Sequence, residues 1–189
     1  MSKGADGGIS AAALTEAVAK IFIATGISPA DAAMAAEDLV AADVEGVASH
    51  GVMLIPMYVD RLRAGSVSTA SAGEIVSDRE AAVVIDAQNV LGQLTARQAV
   101  SLAVARAKRY GLAAVTVRNA FHFGSAGRYA RMMADQGCVG MVMANTRPLM
   151  PAPGGAEPLT GNNPLAIVAP SNAPFSPEID MALSAVAMG

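Results

Sequence analysis

Apolar positions recur at helical spacing from the start of the chain. Leu14, Val18 and Ile21 share one face of a segment from Ala11 to Ala24, with Ser10 before it as a cap and Gly26 just past its end. Ser28-Pro29-Ala30-Asp31 opens a second, Ala-rich segment. A cap, a proline at the first helical position and an acid in the first turn predict a helix running to about Glu45. After Gly46-Val47-Ala48-Ser49-His50-Gly51, an apolar stretch reaches Leu62 and stops at Gly65. Ser49 is placed to cap this third helix, and Pro56 either kinks it or starts a new one after a short break.

The pattern changes near Gly65. Ser66 to Gly73 is small and polar and reads as a hinge. Beyond it, strands are expected over Ala81–Asp86, Leu112–Val117, Cys138–Ala144, Pro164–Ala169 and Ile179–Leu183. Helices are expected over Thr95–Tyr110, closed by Gly111, and over Ser125–Gln136, followed by Gly137. Alternating strands and helices imply crossover connections and a parallel or mixed sheet. The predicted fold class is therefore α/β. A helical unit (9–65) precedes a mixed sheet with crossover helices (74–189), and residues 1–8 form a loose polar tail. Thr146 to Asn163 is long for a loop and rich in Pro and Gly, a length that usually means function or mobility.

Composition narrows the classes. Of the 189 residues, 53% are hydrophobic and 15% charged, which supports a sizeable core and argues against disorder. The net charge is -3, with no Lys/Arg stripe to neutralise phosphates, so a nucleic-acid partner is not expected. No apolar run reaches the roughly 18 residues of a membrane helix, and the polar start lacks a signal-peptide core, so a cytoplasmic protein is the default. Cys138 is the only cysteine, and it reads as a buried strand thiol before it reads as a nucleophile. No metal-ligand cluster is visible. The eleven methionines suit ordinary core packing better than a partner surface.

Only two histidines occur, and both lie in short segments with glycine: Ser49-His50-Gly51 and His122-Phe123-Gly124. With His50 in the first turn of a capped helix, the dipole disfavours the imidazolium and a nearby carboxylate would counter it. That balance suits a general acid or base. A histidine that merely starts a helix is the plainer alternative. The stretch Asn119 to Gly127 follows a strand and opens a helix, where backbone N–H groups attract anions, phosphate above all. Its spacing is not G-x-G-x-x-G, and a tight turn packed with aromatics would look the same. The Gly/Asn clusters Pro153-Gly154-Gly155 and Thr160-Gly161-Asn162-Asn163-Pro164 either wrap a ligand or shape a surface loop, whose one cation, Arg147, either holds a carboxylate or, the plainer reading, is solvated. Asp180, between Ile179 and Met181, needs a partner, for which a histidine is natural.

Taken in order, several segments match a known pattern. They are Ser49-His50-Gly51 with Tyr58 and Gly65, Asn119-x-x-His122-Phe123-Gly124-x-Ala126-Gly127, Gly154-Gly155, Gly161-x-Asn163-Pro164, and Ile179-Asp180-Met181-Ala182-x-Ser184. Together they resemble the second type of the malate/L-lactate dehydrogenase family, which includes ureidoglycolate and sulfolactate dehydrogenases and a cyclic imino-acid reductase. The resemblance implies reversible hydride transfer between NAD or NADP and a small 2-hydroxy or 2-oxo carboxylic acid, in a homodimer. It implies a fold other than the doubly wound dinucleotide-binding sheet. His50 would donate and accept the proton, with Ser49 and Asp180 as relay partners. His122, Phe123, Gly124, Ser125 and Ala126, with Asp180, Met181 and Ala182, would line the cofactor.

Two departures stand out. Many relatives carry Ser-His-Gly-x-x-Arg, and the arginine position is Leu54 here. A carboxylate-binding cation is thus missing, and Arg147 is a candidate replacement. The family's chains are also substantially longer, so the likeness covers about their N-terminal half, and 74–189 reads as a truncated cofactor-binding unit. Beside the dehydrogenase reading stand two alternatives: an inactive remnant that only binds nucleotide or dimerises, and reduction of a cyclic imine.

Overall fold

The computed structural model describes residues 8–184. Most of the expected tail, and the last five residues, lie outside them. Three helices come first: α1 (Ala11–Ala24), α2 (Pro29–Val44) and α3 (Ile55–Arg63). The caps expected at Ser10 and Ser28 form. Ser10 Oγ accepts the Ala13 N–H at 3.2 Å, and Ser28 Oγ accepts the Asp31 N–H at 3.2 Å. Pro56 starts a helix rather than kinking one, because a first-turn proline forfeits no hydrogen bond.

The α/β part begins with β1 (Glu74–Arg79) and β2 (Ala82–Asp86), then α4 (Gly92–Tyr110), β3 (Ala114–Arg118), α5 (Ala126–Ala134) and β4 (Gly140–Met143). A ribbon of β5 (Met150–Pro151) and β6 (Pro158–Thr160) precedes β7 (Leu165–Val168) and β8 (Glu178–Met181). The fold is mixed α/β, with its strands divided between two three-stranded sheets and the two-stranded β5-β6 ribbon. In the first, β2 pairs antiparallel with β1 and parallel with β3, so α4 is the expected crossover. After α5 the chain leaves that sheet, and the order β4-β7-β8 is antiparallel throughout. Strand β1 is not foreseen in the sequence pattern. It is an edge strand, largely exposed, and its Glu-Ile-Val-Ser-Asp-Arg run lacks period-2 patterning.

The long segment 146–163 is closed at its neck. Thr146 donates from its N–H to Asn163 Oδ1 at 3.0 Å and from Oγ1 to Asn162 Oδ1 at 2.8 Å. The Gly/Asn cluster thus serves loop closure first.

One core packs α1, α2 and α3 together with Val67, Val90, Leu91 and Leu94, and thereby draws the start of α4 into the helical unit. Smaller clusters join α5 to β7 and α4 to α5. Half-buried Cys138 packs in the last of these. Among the described residues, no helix is long and apolar enough to cross a membrane, and no three His, Cys, Asp or Glu side chains group as metal ligands.

The three parts are held by Asp38 of α2, whose side chain is 2% exposed. Its carboxylate accepts from Arg97 Nε of α4 at 2.8 Å and from Arg128 Nε of α5 at 2.5 Å. Removing one member of a buried ion cluster leaves charges with reduced solvation. The variant Asp38→Ala is expected to lose about 3 kcal/mol of stability, the low end for a buried pair because both arginines keep some water contact. Urea unfolding of the variant and the parent checks this.

Candidate active site

His50 does not lie in the first turn of a capped helix. It ends a 3-10 turn over Ala48–His50, a second such turn covers Val52–Leu54, and α3 begins only at Ile55. Ser49 therefore caps nothing, because the helix starts six residues later at Ile55, with Pro56 in its first turn. Its hydroxyl instead lies 3.0 Å from His50 Nδ1. The turn is fixed by Asp43 of α2, whose Oδ2 accepts the Val52 N–H at 2.8 Å. Gly51 is required here, because a Cβ would sit 2.3 Å from Asp43 Oδ1. The sequence gives no signal for Asp43, which looks like any solvated acid near a helix end.

The second histidine comes from the turn between β3 and α5. The rings of His50 and His122 stack with centroids 5.8 Å apart and planes at 28°. His122 Nδ1 lies 2.7 Å from the hydroxyl of Tyr58, which is fully buried in α3. Gln93 of α4, also fully buried, donates from Nε2 to the same hydroxyl at 2.7 Å. Sequence reasoning missed Gln93. Its spacing from Val100 and Val104 put a polar residue on the buried stripe of α4, and that was the available sign.

Asp180 of β8 sits at the opening of α5. Its Oδ2 accepts the Ser125 hydroxyl at 3.0 Å and the Gly127 N–H at 2.9 Å. A Cβ on Gly127 would meet that oxygen at 2.5 Å, so glycine admits the carboxylate. The anion expected at this helix end is therefore the protein's own carboxylate, and a phosphate would be repelled from it. Strand β8 is braced by Glu178, which accepts from Arg131 of α5 at 2.5 Å, and Arg131 also pairs with Glu45 beyond α2.

Ser49, His50, Asp180, Met181 and Ala182 share one groove with the stretch His122 to Ala126. Its volume is about 2330 Å³. That is several times a typical small-molecule pocket of roughly 300–1,000 Å³ and ample for a dinucleotide beside a small acid. Leu54 and Arg147 also line it, so Leu54 presents an apolar side chain to the groove.

Burial holds the His50 imidazole below its usual proton affinity, and the Asp180 carboxylate works against that. Burial, reinforced by His50, brings His122 down from 6.5 to about 4. Between these values the unfolded chain binds a proton that folded His122 refuses. The stability carried by its neutral ring is complete above pH 6.5 and is lost as pH falls to about 4. In His122→Gln that part of the acid sensitivity is expected to shrink by on the order of 2 kcal/mol, read as the difference between urea unfolding at pH 7 and at pH 4.5.

The profile of the malate/L-lactate dehydrogenase family matches residues 9–189. A malate dehydrogenase of Pyrococcus abyssi is 36% identical over 173 residues, which are 91% of this chain and 47% of that protein. The structure of malate dehydrogenase from Pyrococcus horikoshii superposes with a TM-score of 0.91 at 35% identity, over 94% of this chain and 51% of that one. A delta1-piperideine-2-carboxylate reductase from Pseudomonas syringae superposes at 0.87 with 31% identity, over 95% and 54%. The chain thus spans about half the length of the relatives it matches. This likeness along nearly its whole length, with the family profile matched over residues 9–189, shows that the chain belongs to the malate/L-lactate dehydrogenase family.

Proposed function

We propose that this chain supplies the proton-transfer half of a dehydrogenase that interconverts small 2-hydroxy and 2-oxo acids with NAD or NADP. The observation that carries the reading is the convergence of His50 and Asp180, from distant parts of the sequence, on one groove, where the carboxylate offsets part of the burial that lowers the proton affinity of the imidazole. A bound nicotinamide supplies or accepts the hydride. His50 gives its proton to the oxygen of the reduced carbonyl and takes it back in the reverse direction. Asp180 stabilises the imidazolium, and the Ser49 hydroxyl at Nδ1 steadies the ring.

Phe123, Gly124 and Ala126, with Met181 and Ala182, offer a surface of small and apolar groups for the cofactor. The carboxylate at the opening of α5 suits the nicotinamide end, cationic when oxidised, better than the pyrophosphate. Arg147 lines the same groove and is the cation we assign to the substrate carboxylate in place of the arginine absent at Leu54.

A cyclic imine is the second substrate class, favoured by the likeness to the piperideine-carboxylate reductase. Rates with a 2-oxo acid and with a cyclic imino acid distinguish the two. Titration with NADH and NADPH, followed by turnover, tests the remnant reading, which requires binding without reduction of either substrate.

The decisive variant is His50→Ala. Loss of a general acid is expected to lower kcat by about 10²–10⁴-fold, followed through nicotinamide absorbance. An unchanged rate removes His50 from the chemistry.

A further inference from the structure

The hydroxyl of Tyr58 has three neighbours and a single hydrogen to give. Gln93 Nε2 lies at 2.7 Å and donates into the oxygen. His122 Nδ1 lies at 2.7 Å, and the His122 carbonyl oxygen is more distant at 3.3 Å. The shorter contact takes the hydrogen, so Nδ1 is the acceptor. An imidazole accepting at Nδ1 carries its own hydrogen on Nε2. Burial keeps the Tyr58 phenol protonated, so the donor is always present.

The orientation of the Gln93 amide decides between this arrangement and its reverse. With Nε2 toward Tyr58, Gln93 Oε1 is the one buried side-chain atom without a partner among the described residues. With the amide turned over, Tyr58 would donate to Oε1 and accept from His122 Nδ1, and the amide nitrogen would be stranded with both hydrogens. A bare carbonyl oxygen is the milder deficit, since buried orphan N–H groups are the rarer case. The ring is also tightly surrounded. Tyr58 meets Phe22 edge-on at 6.0 Å and Phe121 edge-on at 5.6 Å. Its oxygen therefore has little freedom to seek another partner.

We infer that Tyr58, anchored by Gln93, is a positioning residue that locks His122 into the Nε2–H tautomer, so that this neutral ring faces the groove as a fixed hydrogen-bond donor to an oxygen of the bound acid. The inference rests on the reading of the groove as a hydroxy-acid site. It divides the histidine pair by role: His50 exchanges protons, and His122 holds one and offers it only for hydrogen bonding. With Leu54 in place of a cation, a fixed neutral donor beside His50 gives the groove a second way to orient a carboxylate or carbonyl oxygen.

The chain's two histidines make the test direct. Long-range proton–nitrogen NMR of the full chain labelled with nitrogen-15 histidine reports which nitrogen carries hydrogen in each ring, and His50→Ala assigns the signals. At neutral pH, His122 is expected to show only the Nε2–H form. In Tyr58→Phe it is expected to shift to a mixture of tautomers, with cooperative thermal unfolding retained. Gln93→Leu, which removes the anchor and leaves Tyr58 in place, is expected to shift it in the same direction and serves if Tyr58→Phe does not fold. An Nδ1–H form or a mixture in the parent overturns the inference, as does an unchanged tautomer in a folded Tyr58→Phe or, where that variant fails to fold, in Gln93→Leu. A His50→Ala variant with full activity would defeat the proton-transfer reading while leaving the tautomer result intact.

Discussion

The groove exists because one carboxylate, Asp38, is shared by two arginines from different elements. Arg97 lies in the first half of α4 and Arg128 near the start of α5, and both reach the same buried acid on α2, with Glu37 beside it as a second acceptor. Four polar groups of the candidate site sit close to one of these three helices. The turn that carries His50 follows the end of α2 and is tied back to it by Asp43. Gln93 is in the first turn of α4. His122 leads into α5, and Asp180 caps it. Two ionic bonds at one point therefore set the relative placement of groups that no local secondary structure could bring together. Guanidinium forks suit the task, because each offers several donors in a rigid plane to a carboxylate that must have all its lone pairs filled once water is gone.

The two imidazoles share a groove and burial but differ in what touches them. His122 is sealed on one edge by a phenol that cannot ionise in any ordinary range. Its only electrostatic neighbour of note is another imidazole, which further disfavours a second positive charge. His50 has a serine hydroxyl on its Nδ1 and a carboxylate within electrostatic reach. Desolvation alone would make both rings poor bases. The acid brought in by β8 offsets part of that loss at His50, whereas burial and the second imidazole both act against a charge on His122. A low-dielectric groove magnifies this contrast, since the same charge acts more strongly there than in water.

The fold was legible wherever a segment's own chemistry fixes its shape. Ser10 and Ser28 cap the helices they precede, Gly111 ends α4, and the βαβ unit of β2, α4 and β3 follows from the alternation of patterns. It was illegible where pairing is decided elsewhere. Strand β1 has no pattern of its own and exists because β2 offers it an edge. The change of sheet after α5 follows from the packing of its Ala126, Ala130 and Ala134 face on β7, and β7 lies well along the chain beyond the long loop. Small side chains allow that close approach without announcing it, because an alanine stripe looks the same whether it faces a sheet or another helix.

For the site, the residues with unusual chemistry were visible and their partners were not. Histidine is rare in this chain, and glycine beside it is conspicuous, so both His50 and His122 could be singled out. A helix dipole is nonetheless not what tunes His50. The proton affinity is lowered by burial, and the helix whose dipole was invoked begins beyond it at Ile55. Asp180 was rightly seen to need a partner, but the partners are a hydroxyl and a backbone N–H at a helix opening. Asp43 and Gln93 were overlooked because a lone acid at a helix end and a lone amide in a helix are ordinary in sequence. They become informative only when burial is known, since burial turns each of their hydrogen bonds from optional to obligatory.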